Sequence, residues 1–209
     1  MDLLASRREK LSFKNETEIR VPKTEAPAYL EWSLWRAFLA INTLTNKPYE
    51  VRRFKIDQDF LPVCTAPGNG PDLIAEFEDY VIVIEVTLSE SSRQEAMEGE
   101  PVRRHIADQM LQYNKPVYGL FIANRIDSNT AETFRIGVWY TNDDTRMELH
   151  IIPFTLAQFC SFFKTLFTRG EASPNAIVSL MVKCESFRRE CEAPLWKQKI
   201  ANTIEKSCS

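Results

Sequence analysis

The sequence predicts one α/β domain in which a mixed central β-sheet is flanked by helices, with further helices at the C-terminal end. The chain has 209 residues, 44% of them apolar, which is enough for one well-packed domain and short for two. Helix-like and strand-like apolar patterns alternate along the chain. One stretch places two apolar runs around an acidic turn, which indicates a hairpin within the sheet. Together these patterns are typical of an α/β core.

The first elements are an arm, a helix and a loop. Residues 1–26 are highly charged and end in VPKTEAP, which predicts a flexible N-terminal arm. A helix is predicted over 27–44, because its apolar residues recur at helical spacing. That apolar face comprises Leu30, Leu34, Phe38 and Ile41. VRRFKI, residues 51–56, is predicted as a short strand, and residues 61–71 as a Pro/Gly-rich loop.

The segment DLIAEFEDYVIVIEVTLS predicts a hairpin that turns at Glu78 and Asp79. Its second run, VIVIEV, is β-branched nearly throughout and is expected to form a buried central strand. PVRRHIADQMLQYN then predicts a helix, because Val102, Ile106 and Met110 are four residues apart and Pro101 suits a first helical turn. The helix should lead into another buried strand, VYGLFIA.

The last third of the chain predicts one more strand and mostly helices. TAETFRIGVWY fits either a helix or a strand. MELHIIPF is predicted as a last strand and TLAQFCSFFKTLF as a strongly apolar helix. Two amphipathic helices are predicted after Ser173. We therefore expect the core domain to cover 27–170 and residues 171–209 to form a helical extension of it.

Composition excludes several classes of protein. The 26 basic and 29 acidic side chains give a net charge of −3, which does not fit a uniformly basic nucleic-acid-coating protein. Five cysteines form no CxxC pair and no Cys/His cluster, so neither a disulfide framework nor a zinc site is indicated. No apolar run has the length of a signal peptide or a membrane span. We expect a soluble cytoplasmic protein.

Two acids in the predicted hairpin are candidates for chemistry. Asp72 lies at the start of the first strand, and Glu85 lies among the apolar residues of the second. A carboxylate inside such a strand is costly unless it is paired or binds a metal. The predicted metal ligands are Asp72, Glu85 and Val86, and the predicted cofactor is Mg²⁺, with Mn²⁺ as a substitute. The alternative interpretation is that Asp72 caps the end of a strand and that Glu85 is an acid facing the edge of the sheet.

The order Pro71-Asp72, twelve residues, then Glu85-Val86-Thr87 resembles the PD-(D/E)xK nuclease pattern, with Thr87 at the position of the lysine. The segments PAYLEWSLWRAF, GPDLIAEF, IVIEVTLS and EGEPVRRHIADQ resemble, in that order, the catalytic region of Type IIS restriction endonucleases of the AlwI group. This group is distantly related to the FokI cleavage domain. The resemblance covers roughly 27–170 and implies a restriction-endonuclease-like fold that cleaves DNA with Mg²⁺.

The resemblance also implies further site residues. In this group the first helix contributes a glutamate and a Glu-x-Thr variant is common, so Glu31 and Thr87 match it. His105 is the matching candidate for a residue near the scissile phosphate, although it could instead be a structural histidine. Arg103, Arg104 and Gln109 are predicted DNA contacts. Alternatively, these three residues are solvated helix residues without a role in DNA binding. Glu31 could likewise be an acid on the polar face of its helix.

The length of the chain bears on its expected partners. A single-chain Type IIS enzyme is expected to carry a separate sequence-reading domain, and no zinc finger, clear helix-turn-helix or dense basic stripe indicates one here. The resemblance therefore implies the small subunit of a heterodimeric enzyme that acts on double-stranded DNA together with a large recognition subunit. The alternatives are a self-sufficient homodimeric nuclease of repair or defence systems and a non-catalytic scaffold that keeps the nuclease-like fold.

Overall fold

The computed structural model describes residues 1, 4, 10–12, 18–90 and 93–208. Near the N-terminus, strands β1 (Lys10–Ser12) and β2 (Glu18–Arg20) pair antiparallel. Leu4 and Val21 are buried against the core. The described part of the predicted arm therefore contains regular structure, and the rest of that arm lies outside the described residues.

Helix α1 (Ala26–Leu39) has Pro27 in its first turn and ends five residues before the predicted limit of 44. A short helix, α2 (Pro48–Val51), follows it. The prediction of a strand over 51–56 is wrong, because Val51 closes α2 and only isolated bridges form at Arg52 and Ile56. Pro48 at the first turn and the bond from the Lys47 N–H to Glu50 favour the helical turn.

The central sheet has four strands in the order β3-β4-β5-β8. They are β3 (Leu73–Glu76), β4 (Val81–Thr87), β5 (Val117–Ala123) and β8 (Ile151–Thr155). Strand β3 pairs antiparallel with β4, whereas β4, β5 and β8 are parallel. Val81 to Ile84 are fully buried, as expected for a strand with apolar residues on both faces. The predicted hairpin and the mixed sheet are confirmed.

Strand β3 is at the edge of the sheet, and the side chain of Asn46 forms hydrogen bonds with its backbone on the side away from β4. Its Nδ2 donates to the Ile74 carbonyl at 2.8 Å, and its Oδ1 accepts from the Glu76 N–H at 3.2 Å. The Thr45 N–H adds a bond to the Glu76 carbonyl at 2.8 Å. These bonds occupy backbone groups that a further strand would use.

A π-helical turn, Glu95–Gly99, runs directly into helix α3 (Glu100–Gln112). Helix α3 lies so close to the sheet that a Cβ at Gly119 of β5 would overlap the Ile106 side chain. Gly119 pairs with Val83 of β4, so this close approach occurs next to the strand that carries Glu85. The helix and strand predicted in this region are confirmed.

The ambiguous segment TAETFRIGVWY contains both alternatives, the end of helix α4 (Ser128–Ile136) and strand β6 (Val138–Tyr140), separated by Gly137 with φ +56°. The single strand predicted for MELHIIPF is divided. Its first part lies in β7 (Arg146–Glu148), which pairs with β6, and its second part is in β8.

Three helices complete the chain, as predicted: α5 (Leu156–Arg169), α6 (Pro174–Ser186) and α7 (Ala193–Cys208). Helix α5 packs on α1 through aromatic contacts of Phe38 with Phe159 and Phe163. Trp196 of α7 is fully buried, so the last helix is part of the core. Among the described residues, no helix is both long and apolar enough to cross a membrane.

Candidate active site

The hairpin register places Asp72 opposite Glu85. Leu73 pairs with Ile84, so in an antiparallel ladder the residue before Leu73 faces the residue after Ile84. The Val86 N–H donates to Asp72 Oδ2 at 2.8 Å, which fixes the carboxylate beside β4. Residues opposite each other on two strands point to the same face of the sheet. The structure therefore brings together the two acids that the sequence indicated.

Burial and mutual repulsion disfavour the charged forms of these acids. Burial, and then the charge of Glu85, raise the pKa of Asp72 to about 8, against the lowering effect of the Val86 hydrogen bond. The pKa of Glu85 is raised well above its usual value by burial, then by Glu98 and Glu31. A cation bound between the acids would offset this repulsion.

Glu31 reaches the site from α1. Its side chain is buried, and Oε2 accepts a hydrogen bond from the Ala66 N–H at 2.7 Å. Burial and the charge of Asp72 raise the pKa of Glu31 to about 8. The polar-face alternative for Glu31 is therefore wrong, because the side chain lies inside the protein beside the two hairpin acids.

Glu98 is a fourth acid at the site, and its sequence pattern does not indicate this role. It lies in the π-helical turn before α3, hydrogen-bonds to the Thr87 side chain, and has its pKa raised by burial. Its charge also raises the pKa of Asp72 and of Glu85. The spacing to His105 could not reveal it, because the π-helical turn interrupts the α-helical period between the two residues.

His105 contacts Glu85 directly. Its Nδ1 lies 2.8 Å from Glu85 Oε1, and the ring is buried at 5% exposure. Burial, and then the neighbouring Arg104, lower the pKa of His105. With Glu85 ionised, Nδ1 donates to it, and Nε2 keeps a lone pair. Nε2 is buried and has no hydrogen-bond partner among the described residues.

Thr87, at the position of the lysine, ends β4 and carries no charge. Its hydroxyl accepts a hydrogen bond from the Ser89 N–H at 3.1 Å and interacts with Glu98. In this chain the position therefore connects β4 to the π-helical turn.

The three predicted DNA contacts have different environments. Arg103 points away from the acids, because its guanidinium bonds the Gly99 and Val138 carbonyls and lies over the Trp139 ring. Arg104 is partly exposed, pairs with Glu100 at 3.1 Å, and lies close enough to lower the pKa of Glu85. Gln109 is buried and lines a cavity of about 290 Å³ together with His105.

The donor set around Asp72 and Glu85 fits a hard cation. Two carboxylates from opposite strands would supply oxygen ligands, and Val86 would add its main-chain oxygen, because its side chain is apolar. Mg²⁺ is commonly held by one or two carboxylates and keeps several waters. Over the described part of the chain, no group of three or more His, Cys, Asp or Glu could hold an ion, so a closed all-protein cage is not formed.

The family model of the AlwI restriction endonucleases matches residues 1–162. The chain belongs to the AlwI restriction endonuclease family. This nuclease is also similar to a solved structure, the small subunit (R.BspD6I2) of the heterodimeric restriction endonuclease R.BspD6I, with 26% identity and a TM-score of 0.71. The match covers 88% of this endonuclease and 91% of that subunit. Comparison with curated proteins gave no match.

Proposed function

We propose that this restriction endonuclease is the catalytic small subunit of a heterodimeric Type IIS enzyme. It would hydrolyse phosphodiester bonds of one strand of double-stranded DNA with Mg²⁺, while a large subunit recognises the site and cuts the other strand. The similarity to the R.BspD6I small subunit supports this role, because it extends over most of both chains. Membership of the AlwI family supports the reaction.

The observation that carries the proposal is the cross-strand pair of Asp72 and Glu85. Both acids lie where the hairpin brings two strands together, and burial keeps them from strong solvation. They would hold Mg²⁺, for which Mn²⁺ is an expected substitute, with the main-chain oxygen of Val86 as a third ligand. The bound ion would polarise the phosphate and lower the pKa of a water molecule bound to it.

His105 would take the proton of the attacking water. Glu85 orients the ring through Nδ1, which leaves Nε2 as the proton acceptor. The water oxygen would form its bond to phosphorus as the bond from phosphorus to the leaving oxygen breaks. The leaving oxygen would take a proton from solvent, and His105 would return its own proton to solvent. Since Thr87 has no charge, it cannot orient this water as a lysine would.

A strand-specific cleavage assay tests the proposal. The chain would be assayed with and without the large subunit of its restriction system, on intact and nicked duplexes, at several Mg²⁺ concentrations. We expect second-strand cleavage only when both subunits are present, and its loss in Asp72→Ala and Glu85→Ala. Glu78→Ala, an exposed acid in the hairpin turn, is the matched control.

Other outcomes of these experiments would contradict the proposal or support one of the two alternative functions. Site-specific cutting by the chain alone, or a second-strand cut that survives both acid substitutions, would contradict the proposal. Partner-free cleavage that rises with protein concentration would instead support a homodimeric nuclease. Folded protein that binds neither Mg²⁺ nor Mn²⁺ in calorimetry would support a non-catalytic scaffold.

A further inference from the structure

A second cavity lies at the C-terminal ends of strands β5 and β8. It has a volume of about 320 Å³ and is lined by residues that follow β5, by the β8–α5 junction, and by Lys197 of α7. The paired residues Thr87, Ala123 and Thr155 end the parallel strands β4, β5 and β8. The cavity and the acids at the end of β4 therefore share one edge of the sheet.

Two cations meet at this cavity. Arg125 is exposed, and Lys197 is partly buried against the loop after β5. Burial lowers the pKa of Lys197, the negative charge of Asp127 raises it, and the positive charge of Arg125 lowers it. Over the residues described, neither cation forms an ion pair with a carboxylate.

Asp127, the acid whose charge acts on Lys197, is engaged at the start of α4. Asp127 caps α4, and its Oδ1 accepts hydrogen bonds from the Asn129 N–H at 2.8 Å and the Thr130 N–H at 3.4 Å. Lys197 Nζ donates to the Ile126 carbonyl at 3.0 Å and to Ser128 Oγ at 2.9 Å. An ammonium has three donors, so one N–H remains for an anion in the cavity.

Gln94 fixes this cavity relative to the acid site. Its side chain is fully buried, and Nε2 donates to the Ser89 carbonyl at 3.0 Å and to the Arg125 carbonyl at 2.9 Å. Its Oε1 accepts from the Asp127 N–H at 2.9 Å. One amide therefore joins the loop that follows β4 to the loop that carries Arg125.

We propose that this cavity binds a backbone phosphate of the DNA strand that is cut, through Arg125 and Lys197. Two strand spacings separate β4 from β8, which is about 10 Å. This is a short distance along a DNA backbone, so the bound phosphate would lie close to the scissile one on the same strand. This inference rests on the proposed function for the identity of the ligand, and it gives the C-terminal helix α7 a part in holding DNA.

The test is the salt dependence of DNA binding by the full chain without metal. Anisotropy of a fluorescein-labelled 20-bp duplex would be followed from about 20 mM salt upward for wild type, Arg125→Ala, Lys197→Gln and the double variant. Because both cations bind one phosphate, the double variant should reduce the slope of log K against log salt by about 0.9, and each single variant by less. Arg146→Ala, an exposed arginine on β7, is the control and should keep the wild-type slope.

The inference would be overturned if the double variant had the same slope as Arg146→Ala. It would also be overturned if the wild-type chain did not bind the duplex at about 20 mM salt. Thermal unfolding of each variant separates a lost contact from lost folding, and Arg125→Ala changes an exposed side chain only. Because no cleavage is measured, failure of this inference can be distinguished from failure of the proposed function. Changed slopes in a chain that never cuts DNA would leave the site standing and refute the catalytic role.

Discussion

Asp72→Asn should stabilise the metal-free protein and remove its response to Mg²⁺. Burial and the charge of Glu85 raise the pKa of Asp72 from 3.8 to about 8. Between these pH values the folded state holds a proton that the unfolded chain has lost, so this group lowers stability as the pH rises from about 4 to about 8. Asparagine removes the titration and can still accept the Val86 N–H.

The size of the effect follows from the two pKa values. At about 1.4 kcal/mol per pH unit, the difference sets a ceiling of about 6 kcal/mol above pH 8. Relaxation and water entry reduce the cost of a buried charge, so we expect about 1–3 kcal/mol. For a chain of this length that corresponds to a melting temperature higher by about 2–10 °C.

Thermal unfolding at pH 6 and pH 8, with and without Mg²⁺, measures both parts of this prediction. Wild type should gain about 2.7 kcal/mol when Mg²⁺ is at a hundred times its Kd, and Asp72→Asn should gain almost nothing. Asp79→Asn makes the same chemical change at an exposed turn residue and should behave as wild type. A metal-free Asp72→Asn protein that is less stable than wild type at pH 8, or one still stabilised by Mg²⁺, would refute the electrostatic argument.

Three further predictions concern the same site. Gly119→Ala should cost about 1–3 kcal/mol in chemical denaturation, because the added methyl meets Ile106 and pushes α3 from the sheet; unchanged stability would contradict this packing. Mg²⁺ affinity should rise from pH 6 to pH 8 with proton release, because the pKa values of Asp72 and Glu31 are near 8; calorimetry in buffers of different ionisation enthalpy measures this, and equal apparent enthalpies would count against it. His105→Gln should lower kcat for second-strand cleavage by about 10²–10⁴-fold with little change in KM, and a change confined to KM would show that His105 only binds DNA.

Most of the fold could be predicted from the sequence because its signals are local. The period of α1 and the β-branched run of β4 specify a helix and a buried strand without reference to the rest of the chain. Two segments could not be assigned in this way. VRRFKI has strand-like residues but follows the helical turn at Pro48, and MELHIIPF divides because its halves pair with different strands, β6 and β5.

The candidate site shows the same limit. Asp72 and Glu85 could be predicted as neighbours because one hairpin register determines both positions. The place of Glu98 depends on a π-helical turn, and a strictly α-helical pattern does not indicate one. The direction of Arg103 depends on Trp139 and Val138, which are distant in sequence. Contacts of this kind are set by tertiary packing, so periodicity alone does not reveal them.

The amide of Asn46 restricts how this chain can assemble. By bonding the Ile74 carbonyl and the Glu76 N–H, it satisfies groups through which the outer side of β3 could join another chain's sheet. A partner subunit or a second copy is therefore expected to associate through side chains on another surface. The strand that follows Asp72 is in this way kept from intermolecular sheet extension, and Asn46→Ala should make the protein more prone to strand-mediated aggregation.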